Sequence, residues 1–380
     1  MILKNVKVVL ENEIIENGFI EIENEIIKDY GQSTNKDGLD LKGKIVMPGY
    51  IDIHSHGGYG YDFQDGTIES FSGLSKNLVK EGVTAFCPGN VATEMSRLKN
   101  IYQNFSNFIE SKNYHSIPLG IYAEGPFLTL KYKGAHDPAL IKECKYEILK
   151  EMLSSTKYIK YLVYTPEAKE DKFIELATKN NIILSMGHSN ATYQQGLSDV
   201  KKYNIKHLTH LYNAMSPHHH RNPGLVTLGL SHNNLLSELI TDGIHVNEDV
   251  CKMTYDILGP NNITIITDAM SAKGLKDGEY KLGELKVTKK GKTVTLEDGT
   301  IAGASSTYDQ NVRNMYRITN CKLTDLIKMT SINVAKEMKI YKEMGSIEKN
   351  KLANLVITDK DLNVETTIVK GKILFSNKKD

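Results

Sequence analysis

Two histidines separated by one residue, His54 and His56, end an apolar segment that begins at Tyr50 and is followed by Gly57 and Gly58. On a β-strand, side chains two positions apart point to the same face and lie about 6.6 Å apart along the chain, so both imidazoles can reach one metal ion. The glycines allow the backbone to turn away directly after these side chains. A metal site and an ordinary pair of polar residues at a strand end both fit this motif, so its surroundings must decide.

Short apolar segments alternate with helical stretches through the middle of the chain. The segments are Tyr50–His54, Val83–Cys87, Pro118–Ala123, Tyr161–Tyr164, Ile182–Met186, Lys206–Thr209, Leu235–Ile240 and Ile263–Thr267. Helical stretches between them include Ile68–Lys80, Met95–Ser111, Lys169–Lys179 and Thr192–Tyr203. This alternation predicts an α/β fold, a (β/α)8 TIM barrel. Helices at about Tyr308–Asn320 and Thr324–Lys336 would close it, after an extra hairpin within Lys273–Gly299.

Both ends of the chain alternate apolar and polar residues over short stretches that are typical of antiparallel strands. Ile2–Val9 and Gly18–Ile22 are examples near the beginning, and Asn354–Thr358 is one near the end. Because an isolated hairpin is only marginally stable, we expect the two ends to pair with each other. The predicted organisation is a small β-sandwich domain from residues 1–48 and 341–380, and a catalytic barrel from residues 49–340.

The composition is that of an ordinary globular chain. Of 380 residues, 40% are hydrophobic and 24% are charged, and the net charge is +1. So small a charge argues against a broad surface for nucleic acid or for an anionic membrane. The cysteines, at positions 87, 144, 251 and 321, form no CxxC pair, and we find no signal peptide and no apolar run of about 18 residues. We therefore expect a cytoplasmic protein with no nucleic-acid or membrane partner.

Barrel enzymes carry their functional groups at the C-terminal ends of the strands, and polar residues follow six of the predicted strands. They are His54, His56, Glu124, His188, His210, Asp242, His245 and Asp268. Each has an ordinary explanation when taken alone: Glu124 could be a solvated loop charge, Asp242 a turn former, and each histidine a surface residue. Their repetition at equivalent positions favours a metal site, and imidazoles with carboxylates suit zinc or another divalent first-row metal.

The loop after the sixth strand contains three consecutive histidines, His218 to His220, followed by Arg221. An exposed polar loop explains the histidines as well as a functional role does. Arg221 is more informative, because an arginine at a barrel mouth is a natural partner for a phosphate or a carboxylate.

Seven segments resemble the amidohydrolase superfamily and, more closely, its N-acetylglucosamine-6-phosphate deacetylase family. They are PGYIDIHSHG from Pro48, EGPF from Glu124, GAHDP from Gly134, GHS from Gly187, HLYNAM from His210, DGIH from Asp242 and TDAM from Thr267. The resemblance covers essentially the whole chain. The first segment occurs across the superfamily, whereas EGPF and HLYNAM are much more selective for the deacetylases.

This resemblance implies a role for each matching position. Glu124, His188 and His210 would form the principal metal site, and Asp268 would be the catalytic base. The residues implied to bind substrate are Ala135, His136, Asn213, Ala214, Arg221, His245, Ser306, Thr307 and Tyr308. In the family, the equivalent of Arg221 can reach the phosphate bound by a neighbouring subunit, which implies a homodimer.

The family varies in the number of metals that it holds. Some members lack the His-x-His pair and bind one divalent ion, whereas His54 and His56 imply the two-metal form with Glu124 bridging. The ion could be zinc, iron, manganese or cobalt. Many superfamily members use a carboxylated lysine after the fourth strand, but residues 163–167 contain no lysine. Glu124 is the implied replacement, and this difference itself favours the deacetylase branch.

The implied reaction is hydrolysis of the acetamide of a small sugar phosphate, N-acetylglucosamine 6-phosphate, to glucosamine 6-phosphate and acetate, in amino-sugar catabolism and cell-wall recycling. Asp268 would act as base and then as acid, and the oxyanion would be stabilised by metal and by His136 or His245. Another metal-dependent amidohydrolase, such as a cyclic amidase or a deaminase, is the alternative enzyme, and Asn213–Arg221 is the loop that discriminates. A catalytically inactive scaffold is the alternative from another class, and the presence of every candidate ligand argues against it.

Overall fold

The apolar segments form parallel strands around one axis. In the computed structural model, which describes residues 1–377, these strands span Tyr50–Ser55, Val83–Asn90, Ile121–Ala123, Ile159–Tyr164, Ile183–Met186, His207–Leu208, Leu236–Ile240 and Ile263–Ile266. Each pairs with the next in chain order. The last returns to the first where Ser55 pairs with Ala269 and the Asp268 amide donates to the His54 carbonyl over 2.8 Å. The predicted (β/α)8 barrel is confirmed.

Helices follow the barrel strands and cover their outer faces. They span Ile68–Leu78, Met95–Ser111, Tyr146–Leu153, Asp171–Lys179, Tyr193–Tyr203, Leu225–Ser231, Glu248–Leu258 and Tyr308–Thr319. The helix after the fifth strand shows why they begin where they do. Thr192 caps its first turn by accepting from the Gln195 amide, and the Gln195 side chain accepts from the Thr192 amide in return. The second closing helix is continuous from Leu323 to Glu337, with a π-helical turn at Lys328–Ile332.

The two ends of the chain form one hydrogen-bonded sheet. Its strands span Ile2–Val9, Ile14–Glu23, Ile26–Gly31, Leu39–Asp40, Ile45–Pro48, Leu355–Thr358, Val364–Val369 and Lys372–Ser376. Ile45–Pro48 pairs with Ile2–Val9 on one side and with Leu355–Thr358 on the other, so it joins the two ends. An apolar core that includes Leu3, Val8 and Ile368 lies against this sheet.

The fold class predicted from the sequence, a barrel with a small β-sandwich domain from both chain ends, is confirmed. The predicted domain boundaries, after residue 48 and before residue 341, remain a prediction. The last three positions of the predicted small domain, residues 378–380, lie outside the described residues.

The segment after the eighth barrel strand forms three antiparallel strands, Gly278–Leu282, Leu285–Lys290 and Thr293–Thr295, where the sequence predicts a hairpin. Its apolar residues pack against Val91 and Ala135, which lie in loops at the C-terminal ends of barrel strands. The insertion is therefore placed over the end of the barrel that carries the rim residues. Within residues 1–377, no helix has the length and apolar character needed to cross a membrane.

Candidate active site

Glu124 lies at the centre of the rim residues, immediately after the third barrel strand. Its Oε1 is 2.9 Å from Nε2 of His210, 3.0 Å from Nε2 of His188 and 3.3 Å from Nε2 of His54. Its Oε2 is 3.1 Å from Nε2 of His56. Four imidazoles from three different parts of the barrel thus face one carboxylate, and these five residues are the ones that the sequence predicts as metal ligands.

Asp268 joins this group from the segment that follows the eighth strand. Its Oδ1 is 3.1 Å from Nε2 of His56 and 3.7 Å from Nε2 of His54. One ligand atom from each of His54, His56, Glu124 and Asp268 lies within 4.8 Å of the others. A carboxylate that takes part in proton transfer would therefore stand beside any ion held by the two histidines.

The imidazoles are oriented by what their second nitrogens bind. Nδ1 of His56 donates to the Gly89 carbonyl over 3.0 Å, and Nδ1 of His188 donates to the Tyr132 carbonyl over 2.8 Å. A carbonyl only accepts, so Nδ1 of each ring carries a proton, and the Nε2 that faces Glu124 presents a lone pair whenever the ring is neutral. Histidines that ligate a metal are commonly fixed in this way.

These atoms fit a divalent metal ion. Nε2 of His188 and Nε2 of His210 are 3.0 Å apart, and both face the same oxygen of Glu124. Two nitrogen ligands at about 2.0–2.1 Å from a tetrahedral zinc lie about 3.3 Å apart, so this spacing is close to what one ion requires. Nε2 of His54 is buried and has no hydrogen-bond partner within residues 1–377, as expected of a nitrogen reserved for a ligand.

The pKa shifts in the site also favour a bound cation. Burial raises the pKa of Glu124, but the charges of His54, His188 and His56 hold it well below its usual range. Burial likewise opposes the charge on His56, but Glu124 and Asp268 raise the pKa of that imidazole to about 10. The pocket therefore holds negative carboxylates that positive charge must balance, and a divalent cation supplies such charge without protons.

The backbone bends sharply where these residues leave their strands. His188, His210 and Asp268 have φ angles of 49°, 25° and 50°, in the left-handed region that residues other than glycine rarely adopt. Gly134 also has a positive φ, 56°, and a Cβ there would lie 3.2 Å from the His188 ring. Such strained positions cluster at functional sites, where the surrounding structure holds them in place.

His136 belongs to this cluster in a way that the sequence did not indicate. One ligand atom each from Glu124, His136 and His188 lies within 4.8 Å of the others. Nδ1 of His136 donates to the Lys133 carbonyl over 2.8 Å, and Nε2 lies 3.7 Å from Oε2 of Glu124. Burial lowers the pKa of His136 to about 3, so the ring is neutral and its Nε2 presents a lone pair rather than a proton.

The pKa of His245 is shifted in the opposite direction from that of His136. Its Nδ1 is 2.8 Å from Oδ2 of Asp242, whose other oxygen accepts from the amides of Ile244 and His245. Burial lowers the pKa of His245, but the Asp242 carboxylate outweighs it and the net shift is upward. Nδ1 therefore carries a proton toward Asp242, and Nε2 also carries one whenever the ring is an imidazolium, the form that Asp242 favours.

A cavity of about 330 Å³ opens above these residues. Of the predicted substrate-binding residues, it is lined by Ala135, His136, Asn213, Ala214 and His245. It is also lined by residues that the sequence did not single out, which include Lys131, Tyr132, Leu282, Thr300, Ile301 and Gly303. These come from loops and from the insertion, where no motif marks them.

Four predicted substrate-binding residues lie outside this lining. Tyr308 is buried in the core, where its hydroxyl donates to the Ile265 carbonyl over 3.0 Å. Ser306 and Thr307 immediately precede its helix. Arg221 lies in an exposed loop, with Nη1 2.8 Å from Nε2 of His220. A single chain therefore does not bring Arg221 to the cavity.

The sequence profile described as the amidohydrolase family matches residues 45–374. The chain belongs to the amidohydrolase family. Curated members that it resembles include the N-acetylglucosamine-6-phosphate deacetylase of Bacillus subtilis (strain 168), 37% identical over 100% of this chain and 98% of that protein. Another is the N-acetylgalactosamine-6-phosphate deacetylase of Escherichia coli O157:H7, 31% identical over 87% of this chain and 88% of that protein.

The fold agrees with a solved member of the family. The crystal structure of N-acetylglucosamine-6-phosphate deacetylase from Thermotoga maritima superposes with a TM-score of 0.91 at 32% identity, covering 99% of this chain and 100% of that chain. The family match therefore extends over both the barrel and the sheet formed by the chain ends.

Proposed function

We propose that this amidohydrolase catalyses the metal-dependent hydrolysis of N-acetylglucosamine 6-phosphate to glucosamine 6-phosphate and acetate. The observation that carries the proposal is the full-length similarity to deacetylases of this name, in a chain whose rim residues converge on Glu124. A cyclic amidase or a deaminase would share the barrel and the ligands. The similarity across the whole chain favours the deacetylase.

Glu124, His188 and His210 would hold one divalent ion, and His54 and His56 would hold a second that shares Glu124. Nitrogen and oxygen ligands of this kind accept zinc, iron, manganese or cobalt. An ion bound here lowers the pKa of its water toward neutrality and polarises a carbonyl. Glu124 is suited to bridging because its Oε1 faces His188, His210 and His54 while its Oε2 faces His56.

Asp268 would move the proton. It is mostly buried, and its Oδ1 lies beside His56 where attacking water would be held. Burial raises the pKa of Asp268, but His54 and His56 lower it by more. The net shift is downward, so the carboxyl group is an ionised base at neutral pH. It would take a proton from water and then deliver that proton to the departing amine.

His245 would donate to the developing oxyanion. The sequence leaves His136 and His245 as candidate donors, but neutral His136 presents a lone pair at Nε2. Asp242 favours the imidazolium form of His245, in which Nε2 carries a proton, and His245 lines the cavity. A donor placed where charge develops stabilises the transition state more than the substrate.

Cations at the cavity mouth would bind the phosphate. Lys131 lines the cavity from the same chain, while Arg221 would act across the interface of a homodimer. Asn213, Ala214 and Ala135 line the cavity and would contact the sugar. The four cysteines are buried free thiols, which fits a reducing cytoplasm, and we place the reaction there, in amino-sugar catabolism and cell-wall recycling.

The test is hydrolysis of N-acetylglucosamine 6-phosphate by metal-stripped protein, with zinc, iron, manganese and cobalt returned one at a time. We expect no turnover without metal and recovery with at least one of them. N-acetylgalactosamine 6-phosphate is the matched substrate, because one similar enzyme carries that name and the two sugars differ only at one carbon. Failure to release acetate from N-acetylglucosamine 6-phosphate with any metal would refute the proposal.

The phosphate role has its own test. Arg221→Ala should raise KM for the phosphorylated sugar and leave hydrolysis of unphosphorylated N-acetylglucosamine unchanged, since charge-assisted contacts to phosphate contribute about 1.5–3 kcal/mol each. Lys131→Met is the matched variant within the same chain. Sedimentation of the protein as a monomer would remove the intersubunit role of Arg221 but leave that of Lys131 standing.

A further inference from the structure

Glu238 is a fully buried carboxylate in the strand Leu236–Ile240, directly behind the site. Its Oε2 accepts from Nδ1 of His54 over 3.0 Å and from the backbone amide of His210 over 2.9 Å. Its Oε1 is 3.1 Å from Nε2 of His207. One side chain thus binds the back of a candidate metal ligand and reaches further into the barrel.

The chain of contacts continues away from the site. Nδ1 of His207 is 3.0 Å from Oε1 of Glu337, and Oε2 of Glu337 accepts from the Tyr161 hydroxyl over 2.9 Å. Both nitrogens of His207 face carboxylate oxygens, which only accept, so both must carry protons. The resulting imidazolium balances the buried charge of Glu238, which would otherwise be costly to keep in the barrel interior.

This arrangement distinguishes His54 from the other histidines that face Glu124. His56 and His188 bind backbone carbonyls through Nδ1, whereas His54 binds a carboxylate. A carboxylate behind a ligating imidazole fixes its tautomer and orientation and makes Nε2 a stronger donor to metal. The unpartnered Nε2 of His54 faces Oε1 of Glu124 at 3.3 Å, on the side where an ion would sit.

We propose that Glu238 is a positioning residue that orients His54 and thereby determines the affinity of the second metal position. This inference rests on the proposed metal-dependent function, but it concerns metal binding and not the identity of the substrate. Glu238 touches neither substrate nor reacting atoms, since it lies behind the imidazole and away from the cavity.

The test measures metal binding without substrate. Glu238→Gln keeps the size of the side chain but removes its charge and one acceptor. We expect the second equivalent of zinc, titrated in competition with a chelator, to bind about 10–100-fold more weakly, while the first equivalent keeps its affinity. Asp199→Asn is the control, because Asp199 is equally buried and pairs with Lys169 and the Tyr164 hydroxyl outside the site.

A double-mutant cycle separates positioning from general loss of structure. If Glu238 acts through His54, Glu238→Gln should cost no further affinity for metal in a His54→Asn background. An equal loss in both backgrounds, or native affinity in Glu238→Gln alone, would overturn the proposal. A wild-type chain that binds one equivalent only would overturn it as well, whatever its activity toward the sugar phosphate.

The wild-type protein provides a second measurement, which is needed if Glu238→Gln does not fold. In zinc-loaded protein labelled with ¹⁵N-histidine, His54 should bind metal through Nε2 and show a far-downfield proton on Nδ1, hydrogen-bonded to a carboxylate. Metal coordination through Nδ1, or an exchangeable Nδ1 proton with the shift of a solvated imidazole, would contradict the proposal.

Discussion

The two groups of histidines around Glu124 are built differently. His54 lies in the first barrel strand and His56 directly follows that strand, so both reach the site through the alternation of side chains. His188 and His210 come from separate strands and reach it through backbone turns with positive φ angles. The imidazoles of the first group also contact Asp268 and Glu238, whereas the imidazoles of the second contact Glu124 alone among the buried carboxylates of residues 1–377. In the proposed arrangement, His188 and His210 would hold the principal ion, and His54 and His56 would hold the second.

Replacing the residue that both groups share should have the largest effect. Glu124→Gln removes the charge that balances both groups, so we expect neither ion to be retained after dialysis and turnover to fall by more than about 10³-fold. Even residues outside the ligand set cost about 10–100-fold when changed, and a bridging ligand should cost more. Metal analysis and acetate release measure the two quantities, and retention of two ions would show that the groups do not depend on Glu124.

Asp268→Asn should separate catalysis from metal binding. The variant loses its proton acceptor, so we expect kcat to fall by about 10²–10⁴-fold while the metal content stays close to that of the wild type. The contact between Oδ1 and Nε2 of His56 makes the alternative measurable. Loss of one ion in the variant would place Asp268 among the ligands of the His54 group.

A comparison of His54→Asn with His188→Asn tests directly whether the two groups of histidines hold separate ions. We expect His188→Asn to lose the principal ion and nearly all turnover. His54→Asn should keep one ion and lose about 10–100-fold in turnover, in the range found when a metal site is weakened and not destroyed. Equal losses of metal in the two variants would mean that the groups form a single site.

The smallest expected effect is on how the stability of the fold depends on pH. It concerns His207, which lies in the barrel interior behind His54. Burial opposes the charge on His207, but Glu337 and Glu238 raise its pKa from 6.5 to about 10. Because the folded value is the higher one, the imidazolium stabilises the fold fully below about pH 6.5, and this contribution is lost as pH rises through about 10. Relative to His207→Gln, the metal-free wild type should lose on the order of 3 kcal/mol of unfolding free energy across that window.

Urea unfolding at several pH values measures this difference. The same difference at pH 6 and pH 10 would show that His207 is not held as a cation between the two carboxylates. Asp199→Asn provides a reference for the general effect of a buried carboxylate, because Asp199 pairs with Lys169 and lies away from the histidines.

Particular residues show how far the sequence alone reached. His54 and His56 were recognisable because a period of two on a strand directs both to one face. Glu124, His188, His210 and Asp268 were recognisable because each follows an apolar segment at an equivalent place. Glu238 was missed, because a carboxylate inside the strand Leu236–Ile240 breaks the apolar pattern and carries no motif. Lys131 and Ile301 line the cavity from loops that local patterns do not position.

Tyr308 shows what the family resemblance could not determine. The resemblance implied a substrate-binding role, yet the side chain lies in the core with its hydroxyl bound to backbone. Family resemblance places a residue along the chain, but it does not say which way the side chain points.

The sequence by itself determined the barrel, the pairing of the chain ends and the set of residues at the strand ends, because strand periodicity and apolar burial are local properties of the chain. The tertiary structure alone decided which nitrogen of each ligand histidine faces Glu124, and that the pKa of His136 is lowered while that of His245 is raised. The protonation of each histidine depends on the group that accepts a hydrogen bond from its Nδ1. These acceptors are distant in sequence or positioned by loop geometry, and they are Gly89, Tyr132, Lys133, Asp242 and Glu238. A residue's position follows from its own neighbours in the chain, but its protonation follows from the groups that folding brings against it.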